Sequence, residues 1–193
     1  MMTIHLLHGI HTSKSSRRLA DLAPIVERAA GRPVVYHEYG DIWGIQTRSK
    51  NPVIAEQLLH KIEAGDILVG HSNGCAIWLR ALMLGAPARG LVLLNPALDD
   101  KTSFARCPNL EFIHLYYNDD DEAVPWAARS IHLLTDPLWG DMGRDGYKGD
   151  DYRLEQTDCE RTPLLPVLRG HSAIITKPEA NPWAEYWGGR LRR

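Results

Sequence analysis

The chain has 193 residues, of which 44% are hydrophobic and 24% charged, a composition typical of a soluble globular protein. Its formal net charge of −2 shows no basic excess, which argues against a nucleic-acid-binding protein. The three cysteines are far apart and form no C-x-x-C pair, which argues against a disulfide framework and a structural zinc site.

The length suits one domain, which we assign to residues 1–193. The first residues, MMTIHLLHG, lack the basic segment and the longer apolar run of a signal peptide. The sequence has no run of about 18 apolar residues, which is the length that a membrane-spanning helix needs. The sequence therefore predicts a cytoplasmic domain that binds neither membranes nor nucleic acid, and it leaves the oligomeric state open.

Apolar segments with alternating periodicity predict strands and helices in turn along the chain. The predicted strands cover residues 3–8, 34–39, 66–71, 90–95 and 110–117. The predicted helices cover residues 16–30, 52–64, 73–84 and 125–134. Pro24 predicts a kink or a late start for the first helix. Asn51 suits an N-cap, and Pro52 suits the first position of the second helix.

The periodicity fades beyond residue 135. The segment 136–151 is rich in Gly and Asp and is predicted to be a loop, a last strand is predicted within 152–169, and a short helix near 182–188. Strands that are apolar on both faces and separated by helices are typical of a parallel sheet covered on both sides. The predicted fold class is α/β, with a mostly parallel sheet of about six strands.

Ser72 lies between Gly70 and Gly74, where a predicted strand ends and a predicted helix begins. A serine held up at the carboxyl edge of a sheet needs a very tight turn, and residues two positions away on either side must be small. The sequence G-H-S-N-G meets this requirement in the strand–turn–helix context, so Ser72 is predicted to be a nucleophile.

A serine hydroxyl is a poor nucleophile at neutral pH and needs a base that is oriented by an acid. His171 follows a short apolar segment near the end of the chain and is the candidate base. The strand predicted at 110–117 is followed by an acidic turn, whose candidates for the acid are Asp119, Asp120, Asp121 and Glu122.

Together, these motifs resemble the α/β-hydrolase superfamily. H-G follows the first strand, G-H-S-N-G forms the elbow, an Asp stands four residues before the proline of a V-P pair, and G-H lies near the C-terminus. The resemblance covers residues 3 to about 175. It implies an α/β-hydrolase fold like that of a small serine esterase, without a lid domain and without the common N-terminal hairpin.

The resemblance implies that Ser72 is the nucleophile and His171 the general base and acid. The register of the V-P pair selects Asp121 as the acid, with Asp119 as the next candidate. By the same resemblance the oxyanion hole is formed by the backbone N–H groups of Asn73 and Ile10, and His11 is near enough to compete with Ile10.

The implied activity is the hydrolysis of an ester-like bond in a small-molecule ester or acyl substrate through an acyl-enzyme, without a cofactor. Thioesters, amides and a lyase reaction with the same triad stay open. A non-catalytic binding protein on the same fold is the first competitor. A nucleotide-binding or flavodoxin-like domain is disfavoured because HGIHTSKSS is a poor phosphate-binding loop.

Two further features of the sequence bear on the site. The spacing of His5, His8 and His11 does not favour a metal, since residues three apart on a strand point to opposite faces. Aromatic residues predicted near the carboxyl edge either line an acyl pocket or only pack: Trp43, Trp126, Trp139 and Tyr147. The 136–151 loop is a candidate substrate wall, and no substrate-binding residue is assigned.

Overall fold

The computed structural model describes residues 2–10, 18–121, 135–163, 165–176 and 180–192. The strands within these ranges are β1 (Ile4–Leu7), β2 (Val34–His37), β3 (Ile67–His71), β4 (Gly90–Leu94), β5 (Phe112–Tyr117) and β6 (Leu154–Asp158). The helices are α1 (Arg18–Ala30), α2 (Thr47–Leu59), α3 (Asn73–Met83), α4 (Met142–Asp145) and α5 (Ala180–Gly189). Short 3-10 turns cover Gly44–Gln46, Ala173–Ile175 and Arg190–Arg192.

The six strands form one sheet in the order β2-β1-β3-β4-β5-β6, and every neighbouring pair is parallel. The predicted α/β class is confirmed, and the strand expected within 152–169 is β6. Because all strands run the same way, their carboxyl ends meet at one edge of the sheet. Residues that directly follow β1, β3, β4 and β5 are therefore brought together there.

Helices cover both faces of the sheet, and each face has its own apolar core. On one face α2 and α3 pack on alternate strand residues such as Leu68. On the other face α1 and α5 pack on the residues between them, such as Ile67 and Val69. This alternation explains why β3 and β4 are apolar throughout. Within the described residues, no helix is long and apolar enough to cross a membrane.

The start of α2 differs from the prediction. The helix begins at Thr47, so Asn51 is not an N-cap and Pro52 lies inside the helix. The side chain of Asn51 is buried and forms hydrogen bonds with Asn73 and Asp136, a tertiary role that local sequence does not show. The helix predicted over 125–134 lies outside the described residues.

The 136–151 segment is more ordered than the predicted loop. It contains α4, and the carbonyl of Gly143 accepts a hydrogen bond from the backbone N–H of Asn118 at 3.2 Å. A Cβ atom on Gly143 would lie only 2.9 Å from a carboxylate oxygen of Asp121. The segment therefore packs against the acidic turn that follows β5.

Candidate active site

Ser72 forms the turn between β3 and α3 with φ 54° and ψ −123°, a conformation that non-glycine residues rarely adopt. Its backbone N–H donates to the carbonyl of Leu94 at 3.1 Å, and its own carbonyl accepts from the N–H groups of Cys75 and Ala97, both at 3.1 Å. These bonds fix the strained residue against the end of β4 and the first turn of α3. This is the geometry of a nucleophile elbow.

The glycines around Ser72 are required by close backbone contacts. A Cβ on Gly70 would lie 2.7 Å from the amide nitrogen of Cys75, and one on Gly74 would lie 2.6 Å from the carbonyl oxygen of His8. Both distances are shorter than carbon side chains tolerate against backbone. The spacing of the two glycines thus follows from the tightness of the turn.

Gly74→Ala is expected to lower the free energy of unfolding by roughly 2–3 kcal/mol, because the new methyl group meets main-chain atoms that cannot move independently. Gly189→Ala is the matched control, since a Cβ there would meet no atom within 4 Å. We expect the control to change stability by less than about 1 kcal/mol. Urea unfolding of both variants measures the difference, and equal losses would contradict this explanation of the elbow.

The structure brings Asp121 and His171 together. The Nδ1 of His171 lies 2.7 Å from Oδ2 of Asp121, whose side chain is 0% exposed. Asp119 is half exposed and lies 3.4 Å from Arg161, while Asp120 faces Arg169 at 3.9 Å on the surface.

Glu122, the last candidate acid, lies outside the described residues. Of the described candidates, Asp121 is therefore the carboxylate that contacts His171.

Two asparagines that are not among the predicted site residues support this pair. The Nδ2 of Asn95 donates to Oδ2 of Asp121 at 3.4 Å, and Asn95 itself has a positive φ of 42°. The Nδ2 of Asn118 donates at 3.4 Å to the carbonyl of Gly170, the residue before His171. Each asparagine directly follows a strand, β4 or β5, at the shared carboxyl edge. A polar residue directly after a predicted strand is the sequence signal that could have identified both asparagines.

His71 also holds the His171 loop. Burial, reinforced by the positive charge that His171 can take up, lowers the pKa of His71 to about 3. The ring is therefore neutral at ordinary pH, and its Nε2–H donates to the backbone carbonyl of His171 at 3.0 Å. The two rings pack with centroids 4.9 Å apart. The residue before Ser72 thus places His171 beside the elbow.

The predicted oxyanion loop lies against the nucleophile. A Cβ on Gly9 would lie 2.8 Å from Cβ of Ser72 and 3.2 Å from its Oγ, so the Gly9–Ile10 peptide adjoins the serine side chain. Asn73 is the first residue of α3. His11, the competitor of Ile10, lies outside the described residues.

The side chain of Asn73 is fully buried behind the elbow and is held by three hydrogen bonds. It exchanges two hydrogen bonds with the amide of Asn51, at 2.7 and 3.0 Å, and accepts one from Nε1 of Trp139 at 3.0 Å. Asn51 also donates to Asp136 at 2.7 Å. Two nitrogens of Arg80 donate hydrogen bonds to the same carboxylate, at 2.9 and 2.6 Å. This buried polar network ties α2, α3 and the 135–139 segment together.

The aromatic residues predicted near the carboxyl edge do not share one environment in the structure. Trp139 is buried and belongs to the network around Asn73. Tyr147 packs on Phe104, with ring centroids 5.8 Å apart. Trp43 is 64% exposed in the segment that follows β2. Trp126 lies outside the described residues.

The two described histidines of the possible metal site, His5 and His8, bond to different groups. His5 uses both ring nitrogens, one on His37 at 2.8 Å and the other on Asp66 at 2.9 Å. His8 turns its Nδ1 to the carbonyl of Gly9. Over the described ranges, no group of three or more His, Cys, Asp or Glu side chains is arranged to hold a metal ion.

Comparison with known proteins supports the fold. No protein-family model matches the sequence, and no curated protein matches it. Solved structures do match. A putative hydrolase of the alpha/beta superfamily from Xanthomonas campestris pv. campestris is 19% identical, with a TM-score of 0.55 over 99% of this chain and 98% of that one.

Two further structures match at lower identity. A monoacylglycerol lipase from Paleococcus ferrophilus is 12% identical, with a TM-score of 0.57 over 98% of this chain and 93% of that one. An esterase domain of a Rhodothermus marinus protein is 10% identical, with a TM-score of 0.55 over 99% of this chain and 85% of that one. The chain therefore has the α/β-hydrolase fold.

Proposed function

We propose that this chain is a serine hydrolase that cleaves an ester-like bond with the triad Ser72, His171 and Asp121. The observation that carries the proposal is the 2.7 Å contact between His171 and the buried Asp121, at the sheet edge where Ser72 is held in a strained elbow. A neutral histidine bonded through Nδ1 to a carboxylate keeps its free nitrogen, Nε2, available to accept a proton.

The proposed reaction has two halves. Ser72 Oγ attacks the acyl carbon while Nε2 of His171 takes the hydroxyl proton, and the tetrahedral intermediate collapses as the bond to the leaving oxygen breaks. His171 gives its proton to that oxygen, and an alcohol leaves. Water then attacks the acyl-enzyme, its proton passes through His171 to Ser72 Oγ, and a carboxylic acid is released.

The negative charge of each intermediate falls on the former carbonyl oxygen. We propose that the N–H groups of Ile10 and Asn73 bind this oxygen. Asn73 is the first residue of α3, so its N–H is one of the unpaired donors at the helix start, where the helix dipole favours negative charge. Donors that are already in place when the charge develops are the largest single contribution in many acyl-transfer enzymes.

An ester is the proposed substrate class, since an alcohol leaves with less activation than the amine of an amide. The structural neighbours named as an esterase and a lipase support this class. Thioesters and amides would use the same groups, and a panel of matched acetyl ester, thioester and anilide compounds separates them by their kcat/KM values.

Turnover of p-nitrophenyl acetate by wild type, Ser72→Ala and Ser49→Ala tests the proposal. Ser49 is exposed, and its hydroxyl donates to the carbonyl of Gln46, so it is a matched serine outside the site. We expect Ser72→Ala to fall to the level of buffer and Ser49→Ala to match wild type. Turnover that is equal in all three proteins would reject the triad.

A further inference from the structure

Tyr39 lies two residues beyond the end of β2 and directs its hydroxyl into the loop that follows β1. The Oη lies 2.7 Å from the carbonyl oxygen of Gly9 and 2.9 Å from that of His8. The Tyr39 ring stacks on the His8 imidazole, with centroids 4.2 Å apart and planes 11° from parallel. Burial raises the pKa of Tyr39, so the hydroxyl keeps its proton and acts as a donor.

The bond to Gly9 fixes the direction of a whole peptide group. The carbonyl of Gly9 and the N–H of Ile10 belong to one planar trans peptide and therefore point in opposite directions. Tyr39 holds the carbonyl end, and Nδ1 of His8 donates to the same oxygen. A half-turn of this peptide would replace the Ile10 donor with an acceptor, and an oxyanion would then meet a carbonyl oxygen instead of an N–H.

The second segment of the site is held by other side chains. The side-chain amide of Asn73 bonds with the amide of Asn51 and with the indole N–H of Trp139. The hydroxyl of Tyr39 bonds to the two carbonyls of the loop after β1, so its role concerns the Gly9–Ile10 peptide.

We propose that Tyr39 is a positioning residue that holds the Gly9–Ile10 peptide, which carries one of the two donors of the oxyanion hole, in its working orientation. This inference rests on the proposed function. It assigns a role in the reaction to a residue that follows β2, whereas the triad residues follow β3, β5 and β6. The tyrosine acts through the backbone of Gly9, and it does not itself touch the reacting atoms.

Tyr39→Phe tests the inference because it removes one oxygen atom and keeps the ring that stacks on His8. We expect kcat for p-nitrophenyl acetate to fall by about 10- to 100-fold with KM nearly unchanged, since an oxyanion donor acts mainly in the transition state. Tyr116→Phe is the matched control, because Tyr116 packs on Trp183 on the opposite face of the sheet. We expect that variant to keep the wild-type kcat.

Two further readouts separate positioning from a general loss of structure. The affinity for phenylboronic acid, which forms a tetrahedral adduct with an activated serine, should weaken in Tyr39→Phe by the same factor as kcat/KM. Ligand-free crystal structures should show one direction of the Gly9–Ile10 peptide in wild type and a turned or split peptide in the variant. Thermal unfolding confirms that Tyr39→Phe is folded.

The outcomes of these experiments distinguish a failure of the proposed Tyr39 role from a failure of the proposed serine-hydrolase function. A wild type without turnover defeats the serine-hydrolase proposal, and the positioning role of Tyr39 falls with it. An active wild type with unchanged kcat in Tyr39→Phe overturns the inference alone. So does an equal loss in Tyr39→Phe and Tyr116→Phe, or a Gly9–Ile10 peptide that keeps its single direction in the Tyr39→Phe crystal.

Discussion

Asp121→Asn is expected to lower kcat for ester hydrolysis by about 10⁴-fold while the fold is retained. The amide of an asparagine would donate to Nδ1 of His171, which would force the ring proton onto Nε2. The base would then present an N–H to Ser72 and could not accept its proton. The loss arises from the wrong tautomer, so KM and the melting temperature should change little.

Asp119→Asn is the control for this prediction. It makes the same chemical change two residues away, on a half-exposed carboxylate beside Arg161. We expect kcat to stay within about twofold of wild type, because a surface ion pair contributes little. A large loss in Asp119→Asn, with Asp121→Asn still active, would assign the role of the acid to Asp119.

Asp136→Ala is expected to have the largest effect on stability. The carboxylate of Asp136 is buried, accepts two hydrogen bonds from Arg80 and one from Asn51, and its removal leaves the Arg80 guanidinium without its carboxylate partner. Breaking such a pair from one side costs about 3–5 kcal/mol. Urea unfolding should show this loss, and the melting temperature should fall by about 10 °C.

Glu111→Ala is the matched control, because Glu111 pairs with Arg89 at 2.7 Å on the surface, where the Glu111 side chain is 64% exposed. We expect it to cost about 1 kcal/mol or less. The double variant Arg80→Met/Asp136→Leu should regain part of the loss of Asp136→Ala, since no charge is then left unpaired. Equal losses in Asp136→Ala and Glu111→Ala would show that the buried network does not stabilise this fold.

The features that the sequence predicted well depend on local rules. The elbow around Ser72 follows from the sterics of one tight turn, so five consecutive residues contain the signal. The parallel sheet follows from strands that are apolar on both faces and from their alternation with helices. The choice of Asp121 among its acidic neighbours came from the resemblance to the α/β-hydrolases, and the structure places that carboxylate against His171.

The features that the sequence did not reveal depend on contacts between distant segments. Asn51 resembles an N-cap in isolation, yet its side chain bonds to Asn73 and Asp136, 22 and 85 residues away along the chain. Tyr39 looks like an ordinary residue at the end of a strand. Its contact with Gly9 follows from the pairing of β1 with β2, which no local pattern specifies.

Labelling with a fluorophosphonate probe, followed by mass spectrometry to locate the adduct, tests most directly whether Ser72 is an activated nucleophile. A fluorophosphonate reacts with a serine only when a base activates its hydroxyl. We expect one adduct, on Ser72, and no labelling of His171→Ala although that variant stays folded. A folded wild type that takes up no probe, or an adduct that persists in Ser72→Ala, would contradict this expectation.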